Sequence, residues 1–338
     1  MIKTLIVDDS PLVRSIIRDF LESDGSFEIV GEAENGSDGV SQARLLGPDL
    51  ITMDIEMPVM NGLEAIGEIK KILSTAIVVI STHDTAKMAY DATVRGALEF
   101  YAKDIFTSQM NGRQRAHILE TLKHITGIKA RTTARRETAE QPYVAPRVIN
   151  AVLVASSTGG PKALSQLFAA LPQNFPVPVL LVQHNTSGFD KGFVQWLNSY
   201  TPLEVRLAEE GTVPVRGKVY VAPTDRHLLL GKNGFILDNG EPVNNQKPAA
   251  DILFKSAASL YGNSVVSVVL TGMGCDGAEG TRYVKQAGGI TIAQDEASSM
   301  IYGMPRAAAE TGCVDLILPL GLIAERLVLV TKEGSGVR

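Results

Sequence analysis

Ala155-Ser156-Ser157-Thr158-Gly159-Gly160-Pro161 is the stretch on which the reading of this chain turns. An apolar run, Val148 to Val154, precedes it and reads as a buried strand, and helical spacing runs from Lys162 to Leu171. A hydroxyl at a strand-to-helix turn projects beyond the sheet edge, where the first N–H groups of the helix can stabilise negative charge. Two chemistries suit such a turn, a nucleophilic serine beside an oxyanion site or a loop that cradles phosphate. The second fits poorly. A Walker loop needs Gly-Lys followed by Ser or Thr, whereas here the glycines lead into Pro161-Lys162-Ala163. The third glycine of a dinucleotide fingerprint has no counterpart either.

Working outward, two more strand ends carry polar residues. Val177 to Val182 is a β-rich run ending in Gln183-His184-Asn185, and Val265 to Leu270 runs into Thr271-Gly272-Met273-Gly274-Cys275-Asp276-Gly277. Serine needs a base to become a nucleophile, histidine is suited to that near neutral pH, and an acid can fix the imidazole tautomer. Ser157, His184 and Asp276 are therefore the candidate catalytic set. Singly, each has a plainer reading: a helix cap for Ser157, a structural histidine for His184, an N-cap for Asp276. His227 is the weaker candidate base, because its surroundings read as a strand. Cys275 reads as a small packed residue and Trp196 as core. Short strands at Glu204 to Leu207 and Lys218 to Ala222, a hairpin turning at Gly231-Lys232-Asn233-Gly234, and alternating strands and helices to Val330 predict a largely parallel, doubly wound α/β domain with an inserted β-hairpin.

The first half has the same grammar. Strands are predicted at Leu5 to Val7, Glu28 to Ala33, Leu50 to Met53, Ala76 to Ile80 and Leu98 to Tyr101, with helices at Leu12 to Leu21, Gly39 to Leu46, Leu63 to Ile72, Thr85 to Arg95 and Gln109 to Ile125. This alternation predicts a five-stranded parallel sheet with helices on both faces. Asp8, Asp9 and Asp54 stand at strand C-terminal ends, where open α/β sheets bind ligands. Carboxylates this close repel unless a cation lies between them, and Mg²⁺ suits an all-oxygen set. Ser81 and Lys103, at the next two strand ends, can bind phosphoryl oxygens.

The chain has 338 residues, enough for two domains with separate cores. Its net charge of -5 argues against nucleic acid as the main partner. Two cysteines imply no disulfide framework, no run is long enough to span a bilayer, and the N-terminus lacks a signal-peptide layout. A cytoplasmic protein is expected. Between the halves, Lys129 to Pro142 is polar and charged, with Arg131, Arg135 and Arg136 close together, and reads as a solvated connector over residues 127–147.

The first half, residues 1–126, resembles the response-regulator receiver domain, a flavodoxin-like fold, through Val7-Asp8-Asp9-Ser10, Asp54-Ile55-Glu56-Met57-Pro58, Asn61-Gly62, Ser81 and Lys103. Asp104 follows the lysine where that family usually has Pro. The resemblance implies phosphorylation of Asp54 by a histidine kinase. It also implies Asp9, Asp54 and the Glu56 backbone carbonyl as direct Mg²⁺ ligands, with Asp8 acting through water. Within a second domain read as residues 148–338, about residues 148–332 resemble the chemotaxis protein-glutamate methylesterase family. The carrying motifs are the opening stretch, Val182-Gln183-His184, Ala222-Pro223 with His227-Leu228-Leu229, Lys247-Pro248-Ala249-Ala250-Asp251-Ile252-Leu253-Phe254, Leu270 to Ala278, and Asp295 to Arg306. Two departures are Asn185-Thr186, where the family has Met-Pro, and Ala249, where it favours Ser. This second resemblance implies hydrolysis of glutamate γ-methyl esters, and deamidation of certain glutamines, on chemoreceptors. Ser157 would be the nucleophile, preceding Thr-Gly-Gly, with Met273 N–H as an oxyanion donor and the Thr158-Gly159-Gly160 turn supplying others. A monomer with no cofactor for the hydrolase step is expected. The alternative is a non-catalytic, receiver-controlled signalling adaptor with the same fold.

Overall fold

A computed structural model describes residues 1–82, 86–106, 110–127 and 148–332. The expected connector lies outside them apart from Gly127, as do the expected helix starts at Thr85 and Gln109. The chain divides into two compact units, Met1–Arg131 and Thr132–Arg338. Among the described residues no helix is long and apolar enough to cross a membrane.

In the first unit β1 (Ile2–Val7), α1 (Pro11–Glu22), β2 (Phe27–Ala33), α2 (Gly36–Leu46), β3 (Leu50–Met53), α3 (Gly62–Ile72), β4 (Ala76–Ser81), α4 (Ala86–Arg95), β5 (Glu99–Ala102) and α5 (Gly112–Thr126) alternate as expected. The sheet order is β2-β1-β3-β4-β5, with every pair parallel. The strands β3 and β4 are buried along their whole length, as continuous apolar runs covered on both faces must be. Chain direction across the sheet reverses between β1 and β3, so Asp8 and Asp54 flank the switch point where such sheets open a crevice. Helix starts are fixed locally. Ser10 caps α1, with Pro11 in its first turn, and Asn61 caps α3 by accepting from Glu64 N–H. Gly62 is dictated by closeness, since a Cβ there would lie 1.9 Å from the Asp54 carbonyl oxygen.

The second unit contains β6 (Ala151–Ser156), α6 (Gly160–Ala169), β7 (Val179–Gln183), α7 (Asp190–Asn198), β8 (Glu204–Leu207), β9 (Lys218–Val221), β10 (His227–Gly231), β11 (Gly234–Asp238), α8 (Ala250–Tyr261), β12 (Val265–Val269), α9 (Ala278–Gln286), β13 (Ile290–Gln294), α10 (Met304–Glu310), β14 (Leu316–Leu318) and α11 (Leu320–Lys332). Seven strands form one parallel sheet in the order β14-β13-β12-β6-β7-β9-β8, and β10 and β11 make a separate antiparallel hairpin. The central strand β6 starts at Ala151, three residues later than its apolar run suggested, and extends through Ser156. Val148 is exposed, and only from Ala151 does the backbone pair with β12. Trp196 is fully buried, as expected. The sheet is filled to one side of β6 by β7, β9 and β8 and to the other by β12, β13 and β14, which makes the C-terminal ends of β6, β7 and β12 the switch region.

Candidate functional site

Each unit gathers its polar strand-end residues. In the first, one carboxylate oxygen from each of Asp8, Asp9 and Asp54 lies within 4.8 Å of the others. Asp8 and Asp54 are buried, and Asp9 is exposed. Lys103 Nζ sits 2.8 Å from Asp54 Oδ2 and 2.9 Å from Asp8 Oδ2, so Asp104 in place of the usual Pro does not divert the lysine. The Ile55 N–H donates to Asp54 Oδ1 at 2.7 Å. Burial is the main cause that pushes the Asp54 carboxyl up to about 6, with the Asp8 charge adding and Lys103 opposing. Ser81 closes β4 and is buried, while the Glu56 side chain is exposed. The site fits a hard divalent cation: three carboxylate oxygens gather within 4.8 Å of one another, more negative charge than the one ammonium of Lys103, which pairs with Asp8 and Asp54, can balance.

In the second unit Ser157, His184 and Asp276 come together. Ser156 is paired with Gln183 across β6 and β7. The next residues, Ser157 and His184, thus leave adjacent strands about 4.8 Å apart, the usual spacing in a sheet. His184 Nε2 is 2.9 Å from Asp276 Oδ2. The other ring nitrogen, Nδ1, is buried and has no hydrogen-bond partner. Asp276 also accepts Ala250 N–H at 2.6 Å, Asp251 N–H at 3.1 Å and Gly277 N–H at 3.1 Å. Burial pulls its pKa up, but the His184 bond and charge and these backbone donors together hold it below the ordinary aspartate value. An ionised Asp276 accepts a proton-bearing Nε2, which leaves the Nδ1 lone pair as the basic site.

The geometry separates the neighbouring hydroxyls. Ser156 Oγ is fully buried and donates to Gln183 Oε1 at 2.6 Å. The hydrogen bonds of Ser157 run through its backbone instead, from N–H to Thr271 O at 3.0 Å and to its carbonyl from Gly160 N–H at 2.7 Å and Gln183 Nε2 at 3.1 Å. Gly160 N–H is therefore committed within the turn and drops out of the expected oxyanion donors, which leaves Thr158 and Gly159. Gly159 adopts φ +76°, the left-handed conformation that ends the strand and starts α6.

His227 is not a rival base. Its Nε2 donates to Glu241 O at 3.0 Å and its Nδ1 accepts from Ala249 N–H at 3.1 Å, so both nitrogens are used structurally. Cys275 is exposed rather than packed, and the partial desolvation of its thiol, with the Asp251 and Asp276 charges adding, raises its pKa. Two further polar residues hold the site. Gln183 Nε2 bonds the carbonyls of Ser157 and His184, at 3.1 and 2.9 Å. Thr271 accepts Ser157 N–H through its carbonyl and donates Oγ1 to Thr158 O at 3.0 Å. The signal for Gln183 was present, since a glutamine closing an apolar strand beside a candidate base must be bonded if buried. Met273 sits in the loop that carries Asp276, braced where Gly272 O accepts from Gly303 and Met304 N–H.

A phosphoacceptor-like acidic crevice and a serine–histidine–aspartate site, on two parallel α/β sheets of one chain, define the class: a receiver joined to a hydrolase-type domain. The CheB methylesterase profile matches residues 152–327 and the response regulator receiver domain profile residues 4–114. The chain belongs to the CheB methylesterase family and carries a receiver domain. A protein-glutamate methylesterase/protein-glutamine glutaminase of Pyrococcus abyssi is 38% identical over 351 residues, covering 99% of this chain and 95% of the relative. The protein of the same name from Thermotoga maritima is 38% identical over 340 residues, covering 97% of this chain and 98% of the relative. The crystal structure of the Thermotoga maritima CheB methylesterase catalytic domain superposes with a TM-score of 0.52 at 40% identity, covering 55% of this chain and all of that one.

Proposed function

We propose that this chain is a phosphorylation-controlled protein-glutamate methylesterase, with protein-glutamine glutaminase activity, serving chemosensory adaptation in the cytoplasm. The observation that carries the reading is the ionised Asp276 holding His184 by Nε2 while Nδ1, buried and unpartnered, lies on the strand next to Ser157.

Ser157 Oγ attacks the γ-ester carbonyl of a methylated receptor glutamate as His184 Nδ1 takes its proton. Asp276 stays ionised and stabilises the imidazolium. The tetrahedral oxyanion is received by Met273 N–H and by the Thr158 and Gly159 N–H groups. His184 then returns the proton to the departing methoxide, methanol leaves, and water hydrolyses the glutamyl-serine ester by the same proton path in reverse. With a glutamine side chain the leaving group is ammonia and the remaining steps are unchanged.

In the receiver a histidine kinase supplies the phosphoryl group that Asp54 accepts. Asp9, Asp54 and the Glu56 carbonyl would hold Mg²⁺ directly and Asp8 would hold it through water. The ion supplies charge neutralisation for the incoming phosphoryl group. Ser81 and Lys103 bind phosphoryl oxygens, and the new charge at Asp54 raises the activity of the hydrolase unit. The expected partners are methylated chemoreceptors as substrate and a chemotaxis histidine kinase as phosphodonor, and the chain acts as a monomer.

The test is methanol release from methylated receptor membranes, with and without a small-molecule phosphodonor. Ser157→Ala should lose about 10³-fold or more, and wild-type release by that variant would defeat the mechanism. Asp54→Asn should keep the basal rate and lose stimulation. A wild-type chain that binds receptors but releases no methanol in either condition would instead be an adaptor.

A further inference from the structure

The helices α8 and α9 exchange caps beside His184. The N-cap residue of α8, Ala249, offers no side-chain acceptor. The first two N–H groups of that helix, Ala250 and Asp251, go instead to the Asp276 carboxylate at 2.6 and 3.1 Å. The N-cap of α9, Gly277, also has no side chain to offer. Its donors go to Asp251, whose Oδ1 accepts Gly277 N–H at 3.0 Å and Gly280 N–H at 2.6 Å, while Oδ2 accepts from Asn244 Nδ2 at 2.7 Å. Each aspartate thus satisfies the orphan donors of the helix beside the other.

This exchange costs something, because it buries two carboxylates close together. Asp251 is 8% exposed, and burial, with the Asp276 charge adding, raises its pKa against its backbone hydrogen bonds. A neutral side chain could cap α9 without that repulsion. The turn carrying Asp276 also needs holding. Gly274 and Gly277, on either side of Cys275-Asp276, both take left-handed φ values, +91° and +90°, so the backbone there has little stiffness of its own. Gly277 N–H is shared between the two carboxylates, at 3.0 Å from Asp251 and 3.1 Å from Asp276.

We propose that Asp251 is a positioning residue for the hydrolase reaction: by capping α9 and pinning Gly277 it holds the Asp276 carboxylate on His184 Nε2, so that Nδ1 is presented to Ser157. This rests on the hydrolase reading above. Asp251 touches no reacting atom in the mechanism; it acts through Asp276.

The full-length chain is tested with Asp251→Asn and Asp251→Ala, reading methanol release, thermal melts and the ¹⁵N spectrum of His184, assigned with a His184→Gln variant. Asp251→Asn keeps an oxygen for Gly277 and Gly280, and its new NH₂ can donate to Asn244 once that exposed amide turns its own oxygen inward, so it should retain the rate within about fivefold and keep the Nε2–H tautomer. Asp251→Ala should lower kcat by about 10- to 100-fold with KM nearly unchanged, the size expected for a misplaced catalytic group, and its two ring-nitrogen signals should average. In an Asp276→Ala background the same change should cost less than about twofold more, because the two residues act as one unit. Multiplying losses, or a folded Asp251→Ala with wild-type rate and tautomer, overturns the proposal. Should Asp251→Ala not fold, Asp251→Glu replaces it: the displaced carboxylate should average the signals that Asp251→Asn preserves, and the reverse order overturns the proposal. If wild type releases no methanol, the hydrolase reading fails alone. The tautomer spectra still decide what Asp251 does, since identical spectra in wild type and Asp251→Ala refute positioning whatever the methanol result.

Discussion

Asp54 and Asp276 occupy equivalent places in two unrelated crevices, yet their carboxyl groups are driven in opposite directions. Both sit beyond the C-terminal ends of parallel strands at a switch point, and both are buried, with relative exposures of 4% and 1%. Asp54 is raised to about 6, whereas Asp276 is lowered. Burial penalises both charges, so it cannot be what separates them. Asp54 has one backbone donor and a lysine, shared with the like-charged Asp8. Asp276 has three backbone donors and a histidine. The difference suits the two roles proposed for them. A phosphoacceptor needs an oxygen that can leave its partners and attack, while an orienting carboxylate must remain a fixed anion through the cycle.

The largest effect is expected where the fixed anion is removed. Asp276→Asn puts an NH₂ group where an oxygen accepted either the Asp251 and Gly277 N–H groups or the Ala250 and His184 donors, so one set of bonds must fail. On the proposed mechanism the rate of methanol release should fall by about 10³- to 10⁴-fold, as when the orienting acid of a Ser-His-Asp triad is neutralised. Because the folded pKa of Asp276 is depressed, the stability it contributes is complete above the ordinary aspartate range. That stability is lost as pH falls from there through the folded value. Trp196 is the single tryptophan and is fully buried in the hydrolase unit, so its emission during acid titration reports this loss. Wild type should lose stability below about pH 4, and Asp276→Asn should lose less over the same range.

Asp54 should behave in the opposite sense. With divalent ions chelated, the folded receiver holds a proton on Asp54 up to about pH 6, where the unfolded chain has released it. Stability of the receiver should therefore decrease as pH rises from about 4 to 6. Asp54→Asn should be more stable than wild type by about 1–2 kcal/mol at neutral pH, since a shift of this size carries a few kcal/mol at most and Lys103 loses one partner in the exchange. Hydrogen exchange of β3 and β4 measures it. Addition of Mg²⁺ should narrow the gap by stabilising wild type alone, and an unchanged gap would mean that these carboxylates do not hold the ion.

The strand ends made most of this legible in advance. Alternating apolar runs and helical spacings identify the order of elements, and a polar residue closing a buried strand has few places to go but the crevice. Asp8, Asp54, Ser81, Ser157 and His184 were visible for that reason. What the pattern could not carry were partnerships made across the fold. Gly277 cannot cap its own helix, and nothing in the local sequence says that Asp251, 26 residues earlier, supplies the acceptor. Cys275 reads as packed and is exposed, because a small apolar-tolerant residue beside a buried aspartate can point either way on a glycine-flanked turn. Val148 looked like strand because apolar character, rather than pairing, is what a sequence displays, and this valine is 60% exposed.

The two crevice loops also differ in how they turn, and that sets the smallest expected effect. The hydrolase loop places a glycine, Gly159, at its left-handed position, φ +76°. The receiver loop places a β-branched residue, Val59, at φ +67°, with Met60 N–H bonded to Pro58 O at 2.8 Å and the valine side chain 87% exposed. Left-handed backbone costs an L-residue about 1–2 kcal/mol, and an exposed side chain returns little of that through packing. Val59→Gly removes the steric cost but gives the unfolded chain more freedom, which takes back about 0.4–1 kcal/mol. The net gain should be about 0.5–1 kcal/mol in a urea melt of the receiver unit. Val59→Ala, which keeps a Cβ, should recover almost none of it. If Ala matches Gly, the cost lies in β-branching alone and the left-handed turn is not the source of strain. If neither stabilises, the loop relaxes in solution and the contrast with Gly159 disappears.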